Sequence, residues 1–123
     1  MANYKVTGIT PFVPSLDYGL SCRFYKEMGF VETAVIENAT RFDIDNFGFW
    51  LQNYYVKDLA DNFMLCLYVE DLNAWASRIN EVDFANDYDN KARVLSQPHE
   101  QEGVLMMQFT DPSGVLWHIR QSD

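Results

Sequence analysis

Residues 63–79 read FMLCLYVEDLNAWASRI, and the spacing of their apolar side chains changes midway. Phe63–Val69 is a short run with apolar residues on both faces, the pattern of a buried strand. From Leu72 onward the apolar positions are Leu72, Trp75, Ala76 and Ile79, which line one face of a helix, and Asp71 before them is a favourable N-cap. The same change occurs 56 residues earlier. Val6–Val13 is β-branched and strand-like, and Pro11 within it favours an edge position. Beyond Pro14 and Ser15, Leu16, Leu20, Phe24 and Met28 recur every fourth residue, and Gly29 stands where a helix would stop. Val13 falls on Val69 and Leu16 on Leu72.

After the first helix, Phe30–Glu37, Thr40–Ile44 and Phe49–Tyr54 read as three consecutive strands separated by turn residues. A polar connector, residues 57–62, leads into the second copy. There the polar and acidic stretch 81–102 contains a short strand at Arg93–Leu95. Val104–Thr110 and Val115–Gln121 close the chain, joined through Asp111-Pro112-Ser113-Gly114, the residue order of a tight type I turn. The order is a tandem βαβββ repeat, about 5–56 and about 62–121, within one domain spanning 1–123. Neither copy could bury its sheet face alone. The expected class is α+β, because three strands in succession exclude a doubly wound parallel sheet.

The 123 residues are 48% hydrophobic and 15% aromatic, enough for a packed core. Nine basic against eighteen acidic residues give a net charge of −9, which argues against nucleic acid and against anionic membrane surfaces as partners. Residues 1–60 carry five basic and seven acidic groups and residues 61–123 four and eleven, so most of the surplus lies in the second copy. It serves solubility first and favours a cationic ligand second. Cys22 and Cys66 form no framework or C-x-x-C pair and read as buried free thiols of a reducing compartment. The start of the chain has no apolar leader and no stretch is long enough to span a bilayer, so the expected location is the cytoplasm.

Three motifs carry a resemblance. Pro14-Ser15-Leu16-Asp17 with Phe24-Tyr25 and Met28-Gly29-Phe30, then Val69-Glu70-Asp71-Leu72, then Phe109–Trp117 around Asp111-Pro112-Ser113-Gly114, together resemble the vicinal oxygen chelate superfamily. That superfamily includes glyoxalase I, extradiol dioxygenases, fosfomycin-resistance transferases and bleomycin-resistance proteins. The resemblance runs from about Thr7 to Gln121. It implies two modules whose sheets curl around a concave cavity, completed in a homodimer.

The enzymes of that superfamily hold a divalent metal through four side chains. The matching positions here are Gly8, Trp50, Met64 and His118, with Gln52 the nearest substitute for Trp50. Glycine has no donor atom and a thioether is a poor ligand for a hard metal, so one ligand of four remains. No metal, no cofactor and no catalytic residue is therefore expected. Instead, strand alternation predicts a cavity face of Thr10, Phe12, Trp50, Gln52, Met64, Tyr68, His118 and Arg120, joined by Met106 and Gln108. Aromatic rings with sparse polar tips suit a small aromatic or cationic molecule. The leading expectation is a metal-free binding protein similar to the bleomycin-resistance type, sequestering or carrying its ligand in a dimer. The alternative is a metal-dependent lyase, isomerase or dioxygenase-like enzyme with a degenerate site, completed by a ligand from the dimer mate.

Overall fold

In the computed structural model, which describes residues 2–88 and 91–122, two four-stranded mixed sheets each carry their helix on one face. The first sheet is formed by β1 (Phe12–Pro14), β2 (Val31–Ile36), β3 (Ala39–Ile44) and β4 (Phe47–Gln52), in the order β1-β4-β3-β2. The second is formed by β5 (Met64–Val69), β6 (Arg93–Gln101), β7 (Val104–Thr110) and β8 (Leu116–Gln121), in the matching order β5-β8-β7-β6. In each, the strand before the helix pairs in parallel with the last strand, and the other pairings are antiparallel. The architecture is α+β with two βαβββ modules. Asp89 and Asn90, within the acidic stretch, lie outside the described residues.

Local chemistry accounts for the main helices. Helix α1 (Tyr18–Glu27) begins where the Asp17 carboxylate accepts the Leu20 amide, and α3 (Leu72–Asn80) where Asp71 accepts that of Ala74. Helix α1 ends at Gly29, whose φ of +106° lets the Phe30 amide reach back to the Tyr25 carbonyl at 3.0 Å. Two shorter helices were not anticipated: α2 (Lys57–Asn62) in the polar connector and α4 (Phe84–Asp87) in the acidic stretch. No helix among the described residues is long and apolar enough to cross a membrane.

One continuous core joins the modules. Val13, Phe42, Phe49 and Leu51 of the first sheet and Met107, Phe109, Trp117 and Ile119 of the second are buried with Phe24, Tyr25, Leu72 and Ile79 of the helices. Tyr25 packs on Phe49 with centroids 4.9 Å apart, and Trp117 packs on Phe49 at 5.6 Å, so aromatic contacts cross the module boundary. Each such pair adds about 1 kcal/mol beyond its buried area.

Four expectations are corrected. The first strand is Phe12–Pro14 rather than Val6–Val13: Pro11 has no N–H to donate, and the chain before it leaves the sheet. Leu16, expected on the apolar face of the first helix, lies before it and is exposed, because Asp17 provides the cap. The strand expected at Arg93–Leu95 continues to Gln101. Neither cysteine is buried: Cys22 is half-buried and Cys66 is exposed on edge strand β5.

Candidate functional site

The face of each sheet turned away from the core carries the candidate site. In the first sheet Phe12 pairs with Trp50, and Trp50 pairs with Arg41 across β3. The Phe12 and Trp50 rings are 6.2 Å apart, and the Arg41 guanidinium lies 5.9 Å from the Trp50 ring centre. Arg41 is held there by a 2.9 Å ion pair with Asp43. Burial raises the Asp43 carboxyl, but hydrogen bonds from Thr33 and Arg41 outweigh it and leave the group below its ordinary value. Gln52 shares this face, and its backbone carbonyl accepts the Ser15 hydroxyl.

In the second sheet the register places Met64 beside Leu116, Cys66 beside His118, and Tyr68 beside Arg120. Across β8, Gln108 stands opposite His118 and Met106 opposite Arg120. Arg120 lies over the Tyr68 ring at 5.9 Å, and the Gln108 amide nitrogen is 3.4 Å from His118 Nδ1. All these side chains share one face, because Trp117 and Ile119, between them in β8, are buried on the other.

Of the eight residues singled out from sequence, seven occupy these two faces: Phe12, Trp50 and Gln52 on one sheet, and Met64, Tyr68, His118 and Arg120 on the other. Thr10 does not. It lies half-buried in the segment preceding β1, where strand alternation assigns no face. The two groups do not converge within one chain. Two cavities among the described residues each contain one of the eight, Met64 in one and Tyr68 in the other. Arg41 and Ser96 were missed, although the alternation of Thr40-Arg41-Phe42 gave the signal for the first. A local irregularity in β6 hid the second.

A divalent metal does not fit the donors present. Gly8 lies outside the sheets, Met64 offers a thioether and Trp50 no lone pair, which leaves Gln52 and His118, too few donors for a mononuclear site. Among the described residues, no three His, Cys, Asp or Glu side chains are grouped so as to hold a metal ion.

The cavity that contains Met64 has a volume of about 350 Å³ and lies between the first half of β4 and the outer edge of β5. Its walls are apolar, with Phe47, Phe49, Leu65, Leu67 and Trp117 among them.

No family model and no curated protein matches the sequence. Solved structures do match the fold. A bleomycin-binding protein complexed with bleomycin superposes with a TM-score of 0.81 at 23% identity, covering 96% of this chain and 100% of that one. The bleomycin-binding protein of Streptomyces verticillus complexed with copper(II)-bleomycin gives 0.80 at 17%, covering 98% and 100%. Lactoylglutathione lyase from Agrobacterium tumefaciens gives 0.70 at 13%, covering 96% of each. The fold is the one these bleomycin-binding proteins and the lactoylglutathione lyase share.

Proposed function

We propose that this chain is a metal-free small-molecule binding protein of the bleomycin-resistance type, which sequesters or carries an aromatic or cationic ligand as a homodimer. The observation that carries this reading is the pair of open sheet faces. Each presents exposed or half-buried aromatic rings with one guanidinium and a few hydrogen-bonding tips, and within one chain neither covers the other. A second copy supplies the missing wall. The ligand then lies between the Phe12–Trp50 face of one subunit and the Tyr68–His118 face of its mate. Stacking on the rings and pairing with Arg41 or Arg120 orient it. The fold shared with proteins that bind bleomycin supports the same reading.

The chain before β1 supports the dimer. Tyr4, Val6 and Ile9 are 91%, 79% and 95% exposed, a costly arrangement for an isolated molecule. Strand β1 spans three residues where its counterpart β5 spans six, so the first half of β4 lacks the parallel neighbour that β8 has. The apolar cavity beside that half of β4 suits such an arm from a second copy, added as a strand.

The test is a thermal-shift and tryptophan-fluorescence panel of bleomycin, planar aromatic cations, Zn²⁺ and Mn²⁺. An aromatic or cationic member should raise the melting temperature, since at about 100 times Kd a ligand adds about 2.7 kcal/mol. Trp50→Ala should weaken that binding at least tenfold without loss of fold. Stoichiometric metal with His118 in its coordination shell, or binding indifferent to Trp50→Ala and His118→Ala, would overturn the proposal.

A further inference from the structure

We infer that Ser96 and Gln108 fix the tautomer of His118, so that His118 meets the ligand as a hydrogen-bond donor through Nε2. The ligand part of this statement rests on the binding reading above, whereas the tautomer belongs to the ligand-free protein. Three adjacent strands contribute one residue each: Ser96 of β6 stands opposite Gln108 of β7, which stands opposite His118 of β8. An uninterrupted register continuing from Val94 opposite Phe109 would have placed Leu95 against Gln108. The β6 ladder shifts between Val94 and Ser96, and this bulge brings a hydroxyl there instead.

The hydrogen bonds then follow in sequence. Ser96 Oγ accepts the Gln108 backbone N–H at 3.0 Å and donates its own proton to the Gln108 side-chain carbonyl. With its oxygen engaged, the amide turns its NH₂ toward His118, 3.4 Å from Nδ1. A ring nitrogen facing an N–H donor is the one that carries the lone pair, so the neutral imidazole keeps its proton on Nε2. Gln108 is thus a positioning residue and Ser96 positions Gln108.

Two consequences follow. The ligand group that meets His118 is a lone-pair acceptor, such as a carbonyl, a ring nitrogen or a carboxylate. A metal ion is disfavoured at Nε2, because a metal-bound histidine donates its other ring N–H to an acceptor, and here a donor occupies that place.

The chain has two histidines, and the second is an internal control. His99 Nδ1 lies 2.9 Å from the Gln97 carbonyl, an acceptor, so His99 carries its proton on Nδ1, the opposite tautomer. The experiment is a long-range ¹H–¹⁵N correlation spectrum of the ligand-free, histidine-labelled protein. It is recorded near pH 8.5, about two units above the ordinary imidazole pKa. His118→Asn assigns the signals. The expected result is two opposite patterns, Nε2–H for His118 and Nδ1–H for His99. Gln108→Glu should invert the His118 pattern, because a carboxylate accepts Nδ1–H, and leave His99 unchanged. Ser96→Ala should give His118 a mixture of both. An Nδ1–H pattern for His118 in the unmodified protein, or no response to Gln108→Glu, would overturn the inference. Because the spectrum needs no ligand, that failure is separate from a failure of the binding panel, which bears on the functional reading alone.

Discussion

The Tyr25 hydroxyl donates to the Asp111 carboxylate at 2.5 Å, tying α1 of the first module to the β7–β8 turn of the second across 86 residues. Trp117 Nε1 donates to the same hydroxyl at 2.9 Å, and the other Asp111 oxygen accepts the backbone N–H groups of Ser113 and Val115 at 2.8 and 2.9 Å. All the side chains of this relay are buried. The turn that closes the last hairpin is therefore also the joint between modules, and Gly114, at φ +87°, lets the chain turn tightly enough to aim both amides at one oxygen.

Removing the Tyr25 hydroxyl leaves a buried carboxylate one donor short and the Trp117 indole without its acceptor. Tyr25→Phe should destabilise the fold by about 2–3 kcal/mol, the usual cost of leaving buried polar groups unpaired. Urea denaturation followed by far-UV circular dichroism measures this. A loss below about 0.5 kcal/mol would show that the relay contributes little.

Burial pushes the Asp111 carboxyl up to about 6, although hydrogen bonds from Tyr25 and the backbone of Val115, Ser113 and Gly114 oppose the shift. In the unfolded chain the group titrates near its ordinary value of about 3.9. A folded value raised above the unfolded one means that the fold binds the proton more tightly. Its stabilising contribution is complete below about pH 4 and is lost as pH rises through about 6, amounting to about 3 kcal/mol. The stability of the unmodified protein relative to Asp111→Asn should therefore fall between pH 4.5 and 7.5. Paired urea titrations across that window check it, and a difference independent of pH would refute it.

The arm before β1 offers the handle on assembly. Ile9→Asp and Val6→Asp alter side chains almost wholly exposed in one chain, so monomer folding should be unaffected. If these residues add a strand to a second copy, the double variant should shift the dimer toward monomer by at least tenfold in dissociation constant. Sedimentation equilibrium reads this directly. A dimer of unchanged strength would place the interface elsewhere.

Much of the fold was legible because alternation and helical spacing are covalent properties of the chain. Strand parity, anchored on His118 by the family resemblance, placed Phe12, Trp50, Gln52, Met64, Tyr68, His118 and Arg120 on one side of their strands, and that side lies opposite the core. Trp117 and Ile119, of the opposite parity in β8, lie inside. Asp71, Gly29 and the Asp111–Gly114 turn announced themselves because capping and turn chemistry act within a few residues. Thr10 failed because a strand needs a neighbour as well as a pattern, and past Pro11 the neighbour is absent.

What the sequence by itself determined, then, is the βαβββ repeat and the side of each sheet on which a residue stands. Tertiary structure decided that the first strand begins only at Phe12 and where β6 bulges to bring Ser96 to Gln108. It also decided that Tyr25, Asp111 and Trp117 meet, and that the two candidate faces remain apart within one chain. The physical reason is range. Periodicity is written residue by residue, whereas a buried relay or a groove exists only once segments distant in sequence have packed and water has been excluded between them.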